Sequence, residues 1–333
     1  MLSNRRGTET QKKTLRTEAR HQKTAAAKGH AYKLMEISIP TPSGFSFKRT
    51  VISHGWYNLP PFDLDQEEWI LSRVLNVGTA QPIMVRISGA KGLVKVAASR
   101  ALGKRASEQV IRDVRHMLRL DDEMSSFYAA VAHDPEFNWV ASSGAGRLLR
   151  SPTVFEDLVK TMCTTNCSWA LTYKMVDGLV GELGRESRAG KRTFPSPEAM
   201  ASKTERFYRD VIRAGYRAPY LKELAERVAG GSLDVEAWAS SELTTPDLQR
   251  EMKTVKGVGD YAAENLLKLL GRYDCLALDS WVRGKFKRTR NAGRKTSDKK
   301  IERYYSRFGS WRGLALWCDM TRDWLEKEDT HIW

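Results

Sequence analysis

The spacing of apolar residues changes character along the chain. Up to residue 33 no apolar period is sustained and Thr, Lys and Ala predominate, so this stretch is expected to be disordered. From about 35 to 100 short runs alternate. Ile37 to Ile39, Phe45 to Ile52 and Ile83 to Ile87 read as strands, and Ser88-Gly-Ala-Lys-Gly92 reads as the hairpin turn before another at Leu93 to Ala97. Between them, Leu64 to Val74 has helical spacing.

From about 107 onward the period is helical. Gln109 to Leu118, Met124 to Ala132 and Thr153 to Leu183 carry apolar residues three and four apart. Gly190, Pro195 and Pro197 mark a break, and helices resume at Pro197 to Ala201 and Phe207 to Ala214. Pro219 suits a first helical turn, followed by Tyr220 to Val228, and Gly230-Gly231 suits its end. The stretch 284–300, with Gly284 and Gly293, reads as a loop, and Gly313 to Leu325 as a last, aromatic-rich helix. The pattern predicts a predominantly α, α+β protein with a tail at 1–33, a small antiparallel β-containing domain at 34–105 and a helical body at 106–333.

Charge adds a partner. The 333 residues carry +15, of which 1–33 contribute +7 and 283–303 contribute +8, leaving a neutral remainder. A neutral body with two basic patches points to a polyanion, nucleic acid being the commonest; a solvated charge run is the bland alternative. No run of about 18 apolar residues is present, which excludes a membrane helix. The first residues lack the apolar core of a secretory signal, and Glu9 and Glu18 argue against a transit peptide. Four cysteines do not make a disulfide scaffold, so an intracellular setting is expected.

The segment 246–283 carries the chemistry. Pro246 opens a short helix to Lys253; Val255-Lys256-Gly257-Val258-Gly259 alternates apolar residues with glycine; Asp260 starts a second helix with Ala262, Ala263, Leu266, Leu267 and Leu270 on its apolar side, stopped by Gly271. A helix, a glycine hairpin and a helix clamp a DNA phosphate through successive N–H groups and a positive helix end, without reading sequence. Downstream, Asp279 follows Leu276-Ala-Leu278 on the approach to a new helix. Taken alone it reads equally as an N-cap.

The hairpin and Asp279 together resemble the helix-hairpin-helix DNA glycosylase superfamily of base-excision repair, in which such a hairpin precedes a catalytic Asp. The similarity spans roughly 35–325. Leu118-Arg-Leu-Asp-Asp-Glu-Met-Ser-Ser-Phe-Tyr128, Gly146-Arg-Leu-Leu-Arg150 with Pro152, Phe155 through Asn166, and Gly215-Tyr-Arg-Ala-Pro-Tyr220 are similar to stretches of 8-oxoguanine DNA glycosylases. The strand-rich start resembles the antiparallel domain of that enzyme and of 3-methyladenine DNA glycosylase II. The implied fold is the helix-hairpin-helix glycosylase fold with a small N-terminal antiparallel domain.

One position departs. Tyr261 stands where the 8-oxoguanine enzymes carry a Schiff-base lysine, whereas the 3-methyladenine enzymes have an aromatic there and hydrolyse without a covalent intermediate. The resemblance therefore implies a monofunctional hydrolase, with Asp279 stabilising positive charge on the deoxyribose and orienting water. An extruded base needs aromatic walls, for which Tyr261, Trp281, Trp169, Trp56 and Tyr57 are candidates, each equally readable as core. Lys256, Gly257, Val258 and Gly259, with Lys285, Lys287 and Arg288 of the basic stretch, are candidate DNA contacts. Asn166 falls, by resemblance, near the orphaned base; alone it reads as a helix cap.

Cys163 and Cys167 lie one helical turn apart while Cys275 and Cys318 are isolated, and the six His show no ligand spacing, so neither cluster nor zinc nor any other cofactor is expected. The expected partner is duplex DNA with a damaged base, engaged by a monomer. Alkylated purines are favoured, since cationic bases leave with less help. An 8-oxoguanine-type enzyme with or without strand-nicking, and a non-catalytic DNA-binding protein, are the alternatives.

Overall fold

The computed structural model describes residues 35–78 and 80–324. The expected disorder of 1–33 lies outside the described residues, as does the end of the last expected helix at Leu325.

Strands β1 (Met35–Pro40), β2 (Phe62–Asp65), β3 (Ile70–Leu75), β4 (Ile83–Ala90) and β5 (Leu93–Ala98) form one antiparallel sheet in the order β1-β5-β4-β3-β2. The period of two puts Ile37, Ile39, Ile83, Val85, Ile87, Val94 and Val96 on the buried face. The β4–β5 hairpin turns at Lys91-Gly92, with Gly92 at φ +71°. Helix α1 (Phe47–Val51) packs on β4, and the helices continue as α2 (Lys104–Met117), α3 (Ser125–Ala132), α4 (Trp139–Ser143), α5 (Val154–Thr164) and α6 (Trp169–Leu183). Then come α7 (Pro197–Ala201), α8 (Glu205–Asp210), α9 (Ala218–Ala229), α10 (Thr245–Met252), α11 (Asp260–Leu269), α12 (Ser280–Arg290), α13 (Asp298–Tyr305) and α14 (Arg312–Thr321).

Four expectations are corrected. Phe45 to Ile52 is not a strand: Ser46 caps a helix by accepting from the Arg49 amide at 3.3 Å, and Phe47, Thr50 and Val51 are buried at helical spacing. Leu64 to Val74 is not a helix: Asp65 accepts from the amides of Glu67 and Glu68, both at 3.0 Å, and this turn joins β2 to β3. The span from Thr153 to Leu183 breaks at Asn166, whose φ is +46°, and restarts when Ser168 caps α6. The stretch 284–300 is mostly helical, because Val282 and Phe286 bury one face of α12 and α13 follows at Asp298.

Helix α5 is the buried axis of the molecule, with every residue from Val154 to Cys163 buried. Its first amides are capped by Glu236, at 2.8 and 2.9 Å. Glu156 on α5 meets Arg73 of β3 at 3.0 Å and Lys160 at 2.7 Å, all three buried, so sheet and helical body are joined by a desolvated ionic triad. Burial pushes the Glu156 carboxyl up, but the Arg73 and Lys160 charges hold it below the usual carboxylate range. Arg119, also buried, donates to the Leu269 carbonyl at 2.6 Å and so caps the C-terminus of α11.

Candidate active site

The hairpin between α10 and α11 is built as the sequence suggests. The Val255 amide closes onto Met252 at 3.1 Å and the Val258 amide onto Val255 at 3.0 Å, while both valines are buried. Gly257 takes φ +86°, and a Cβ there would stand 2.7 Å from the Tyr220 ring. Gly259 is different: its backbone is extended, with φ −92° and ψ −171°, and its Cα faces open space. Gly257 is therefore held to glycine by its own backbone and by Tyr220, whereas at Gly259 only an approaching ligand would make a side chain costly. Gly257→Ala is expected to destabilise the protein by about 1 kcal/mol or more, and Gly259→Ala to leave it unchanged within about 0.5 kcal/mol. Paired urea titrations measure this, and equal losses would contradict it.

Asp279 precedes α12 and caps it, Oδ1 accepting from the Val282 amide at 2.6 Å. The residue is half-buried and lines a cleft of about 1130 Å³. The N-cap reading and the catalytic reading thus fall on one carboxylate, with Oδ1 used by the helix. Residues 255–259 of the hairpin line the same cleft.

Of the aromatic candidates, Tyr261, Trp281, Trp169 and Trp56 line this cleft. Tyr57 does not: the 3₁₀ turn at Gly55–Asn58 directs it into a separate cleft shared with Pro60, Pro61 and Tyr173. Trp56 is pinned by its indole N–H to Asp157 Oδ1 at 2.7 Å. A Cβ on Gly55 would stand 2.3 Å from the Trp169 ring, so glycine makes room for that indole. Trp281 sits 5.9 Å from both Trp317 and Trp324, ring centroid to ring centroid. The Tyr261 hydroxyl lies 3.5 Å from Thr164 Oγ1, and burial raises its pKa. Asn166 is exposed at the cleft, its amide nitrogen 3.4 Å from the Tyr216 hydroxyl.

The predicted basic contacts separate. Lys256 is exposed at the hairpin and pairs with Glu223 at 2.8 Å. Lys285, Lys287 and Arg288 lie on α12 outside the cleft lining. Lys285 turns inward to Asp323 at 2.8 Å and Arg290 is bound to Asp319, whereas Lys287 and Arg288 are exposed. Neutralising Lys287 and Arg288 together is expected to lower the log–log salt slope of DNA binding by about 2. Neutralising Lys285 and Arg290 instead should cost stability. Fluorescence anisotropy at several salt concentrations checks this, and an unchanged slope for the first pair makes it a solvated face.

Among the contributors to the cleft not legible beforehand are His54, Lys268 and Trp317. The His54 Nε2–H donates to the Leu149 carbonyl at 2.6 Å, and burial lowers its pKa to about 3, so the ring is neutral. The Trp317 N–H donates to the Ser53 carbonyl at 2.8 Å. Lys268 is 3% exposed, with Nζ 4.2 Å above the Trp317 ring. Among the described residues no three His, Cys, Asp or Glu side chains converge in a metal-binding group, and no helix is long and apolar enough to cross a membrane.

Residues 159–309 match the family model of the HhH-GPD superfamily base excision DNA repair protein. The DNA-3-methyladenine glycosylase of Bacillus subtilis (strain 168) is 23% identical over 208 residues, which is 60% of this chain and 68% of that protein. Among solved structures, the 3-methyladenine DNA glycosylase of Archaeoglobus fulgidus superposes with a TM-score of 0.68 at 19% identity, covering 87% of this chain and 99% of that one. The Clostridium acetobutylicum 8-oxoguanine glycosylase/lyase, in complex with double-stranded DNA containing cytosine opposite 8-oxoguanine, gives 0.67 at 18%, covering 88% and 98%. The fold, a mostly helical body carrying a five-stranded antiparallel sheet at its N-terminal end, is the one these structures share.

Proposed function

From a chain whose residues 159–309 match the family model of the HhH-GPD superfamily of base excision DNA repair proteins, we propose a monofunctional DNA glycosylase that hydrolyses the N-glycosidic bond of a damaged purine extruded from duplex DNA. One observation carries the reading: Asp279 stands on the wall of an aromatic cleft whose rim is a glycine hairpin, and Tyr261, not a lysine, occupies the first turn after that hairpin.

The hairpin amides and the N-terminus of α11 hold a backbone phosphate, which sets the sugar of the extruded nucleotide beside Asp279. The base enters among Trp56, Trp169 and Trp281. As the C1′–N bond breaks, positive charge develops on the sugar and the Asp279 carboxylate stabilises it. The carboxylate also takes a proton from the water that attacks C1′. Tyr261, its phenol held neutral by burial, has no amine with which to form an imine at C1′. Alkylated purines are supported as substrates by the Bacillus relative's name and by this aromatic residue. The enzyme acts as a monomer on duplex DNA.

Single-turnover excision over a panel of duplexes, each with one alkylated, deaminated or oxidised purine, tests the activity. Sodium borohydride in parallel tests the mechanism. Release of a free base with no borohydride-trapped protein is the expected result. A trapped adduct overturns monofunctional hydrolysis, and release from no duplex overturns the glycosylase reading.

A further inference from the structure

Tyr261, Asn265 and Lys268 lie at i, i+4 and i+7 on α11 and all line the cleft. They form one row running inward from the hairpin, and at about 1.5 Å per residue Lys268 stands about 10 Å deeper than Tyr261. Lys268 Nζ there lies 4.2 Å above the Trp317 ring, and His54 is close enough to interact with it electrostatically. Lys268 is buried, yet among the described residues its ammonium has no hydrogen-bond partner. The other fully buried lysine, Lys160, shows what a structural lysine looks like in this protein, with Glu156 at 2.7 Å. Burying an ammonium without an acceptor is costly, and the indole face of Trp317 offsets part of that cost but accepts none of the three N–H bonds. A Met or Leu in the Leu266–Leu270 run would pack there with no such penalty.

We infer that Lys268 is the proton donor to the departing base, the group at the cleft floor that lets this enzyme release uncharged purines. The inference rests on the glycosylase reading above. As the C1′–N bond breaks, its electron pair goes to the base, and a Lys268 proton moves to a ring nitrogen or carbonyl oxygen of that base. Water adds to C1′ and gives its proton to Asp279, and the two side chains return to their starting states by exchange with solvent. A base that already carries a positive charge needs no such proton and is repelled by the ammonium. Neutral, acceptor-bearing bases such as hypoxanthine and 8-oxoguanine therefore depend on Lys268, and 7-methylguanine does not.

Burial lowers the Lys268 pKa to about 8, against the raising influence of Cys275, Asp279 and Glu264, the titratable groups that face it; His54, also facing it, is neutral. The donor form is thus present below about pH 8 and is lost as pH rises through that value.

The experiment compares the full-length protein with Lys268→Met on hypoxanthine, 8-oxoguanine and 7-methylguanine duplexes in single turnover. The expected result is a fall of about 10²- to 10⁴-fold in the ratio of neutral-base to 7-methylguanine excision. Melting temperature should hold or rise, and affinity for a duplex with a stable abasic analogue should hold. The wild-type rate on neutral bases should decline above about pH 8 while the 7-methylguanine rate does not. An unchanged ratio overturns the proton-donor role, as does an equal fall on all three bases. A borohydride adduct mapped to Lys268 overturns it in favour of a nucleophile. If the wild-type protein releases none of the three bases while binding the abasic duplex, the glycosylase reading fails first, and the variant comparison is not what decides it.

Discussion

Asp279→Asn is expected to slow base excision by about 10²- to 10³-fold, the size of effect seen when one preorganised electrostatic stabiliser is removed. The amide keeps the shape and retains an oxygen able to accept the Val282 N–H, so the cap of α12 survives and stability should fall by about 1 kcal/mol or less. What is lost is the negative charge on the cleft wall. On the proposed mechanism that charge would lie among DNA phosphates in the resting complex and be unfavourable there. It becomes favourable only when the sugar turns positive, which is the condition for accelerating the chemical step. DNA affinity should therefore hold or rise in the variant. Single-turnover kinetics on a substrate confirmed for the wild-type protein measure the first quantity, and anisotropy the second. Near-normal excision by Asp279→Asn would reduce the residue to a helix cap.

Glu156→Ala is expected to cost about 3–5 kcal/mol of stability, because it leaves the buried Arg73 and Lys160 charges facing each other across an empty site. Against the 5–15 kcal/mol of a typical fold, about a third of the total is at risk. The same residue confers acid sensitivity. Its carboxyl is held below the usual range in the folded state, so its contribution is present above that range and is lost as pH falls through the lowered value. Denaturant titrations near neutral pH and in mild acid check both statements. A loss under about 1 kcal/mol would mean that the triad relaxes or admits water. The functional consequence is indirect: the next residue on α5, Asp157, holds Trp56, and the far end of the helix presents Thr164, and the turn after it Asn166, to the cleft.

How legible the molecule is from its residues depends on whether the information is local. The hairpin and its flanking helices are legible because Gly257 and the two valines form a self-contained turn. The β4–β5 hairpin is legible for the same reason. Leu64 to Val74 misleads because Gln66, Glu67 and Glu68 are ordinary helix residues, and only the Asp65 side chain bonding to the next amides diverts them. The 284–300 stretch misleads because its glycines look like breaks, although Gly284 sits within α12 at the cost a helix tolerates. Lys268 is hidden by its setting: a lysine in a leucine-rich helix reads as the solvent edge, and only the tertiary structure turns that edge into a cleft floor. Tyr57 fails in the opposite direction, since adjacency to Trp56 suggests a shared pocket that a single tight turn divides.

The bond from the Trp317 indole to the Ser53 carbonyl joins residues 264 positions apart, and Arg119 reaches Leu269 across 150. The floor of the cleft is therefore among the last parts of the protein that a growing chain can complete. During synthesis Ser53 emerges with the carbonyl that Trp317 will bond still unpaired, and Lys268 is made before the ring that covers its ammonium. A segment cut to 159–309 would lack His54, Trp56 and Trp317 together, so the stretch that matches the family model does not contain the whole lining of the cleft. Closing such long loops is slow relative to local helix formation, and the exposed indole faces are apolar while they wait. The lining of the cleft is complete only once α14, which carries Trp317, has packed in place.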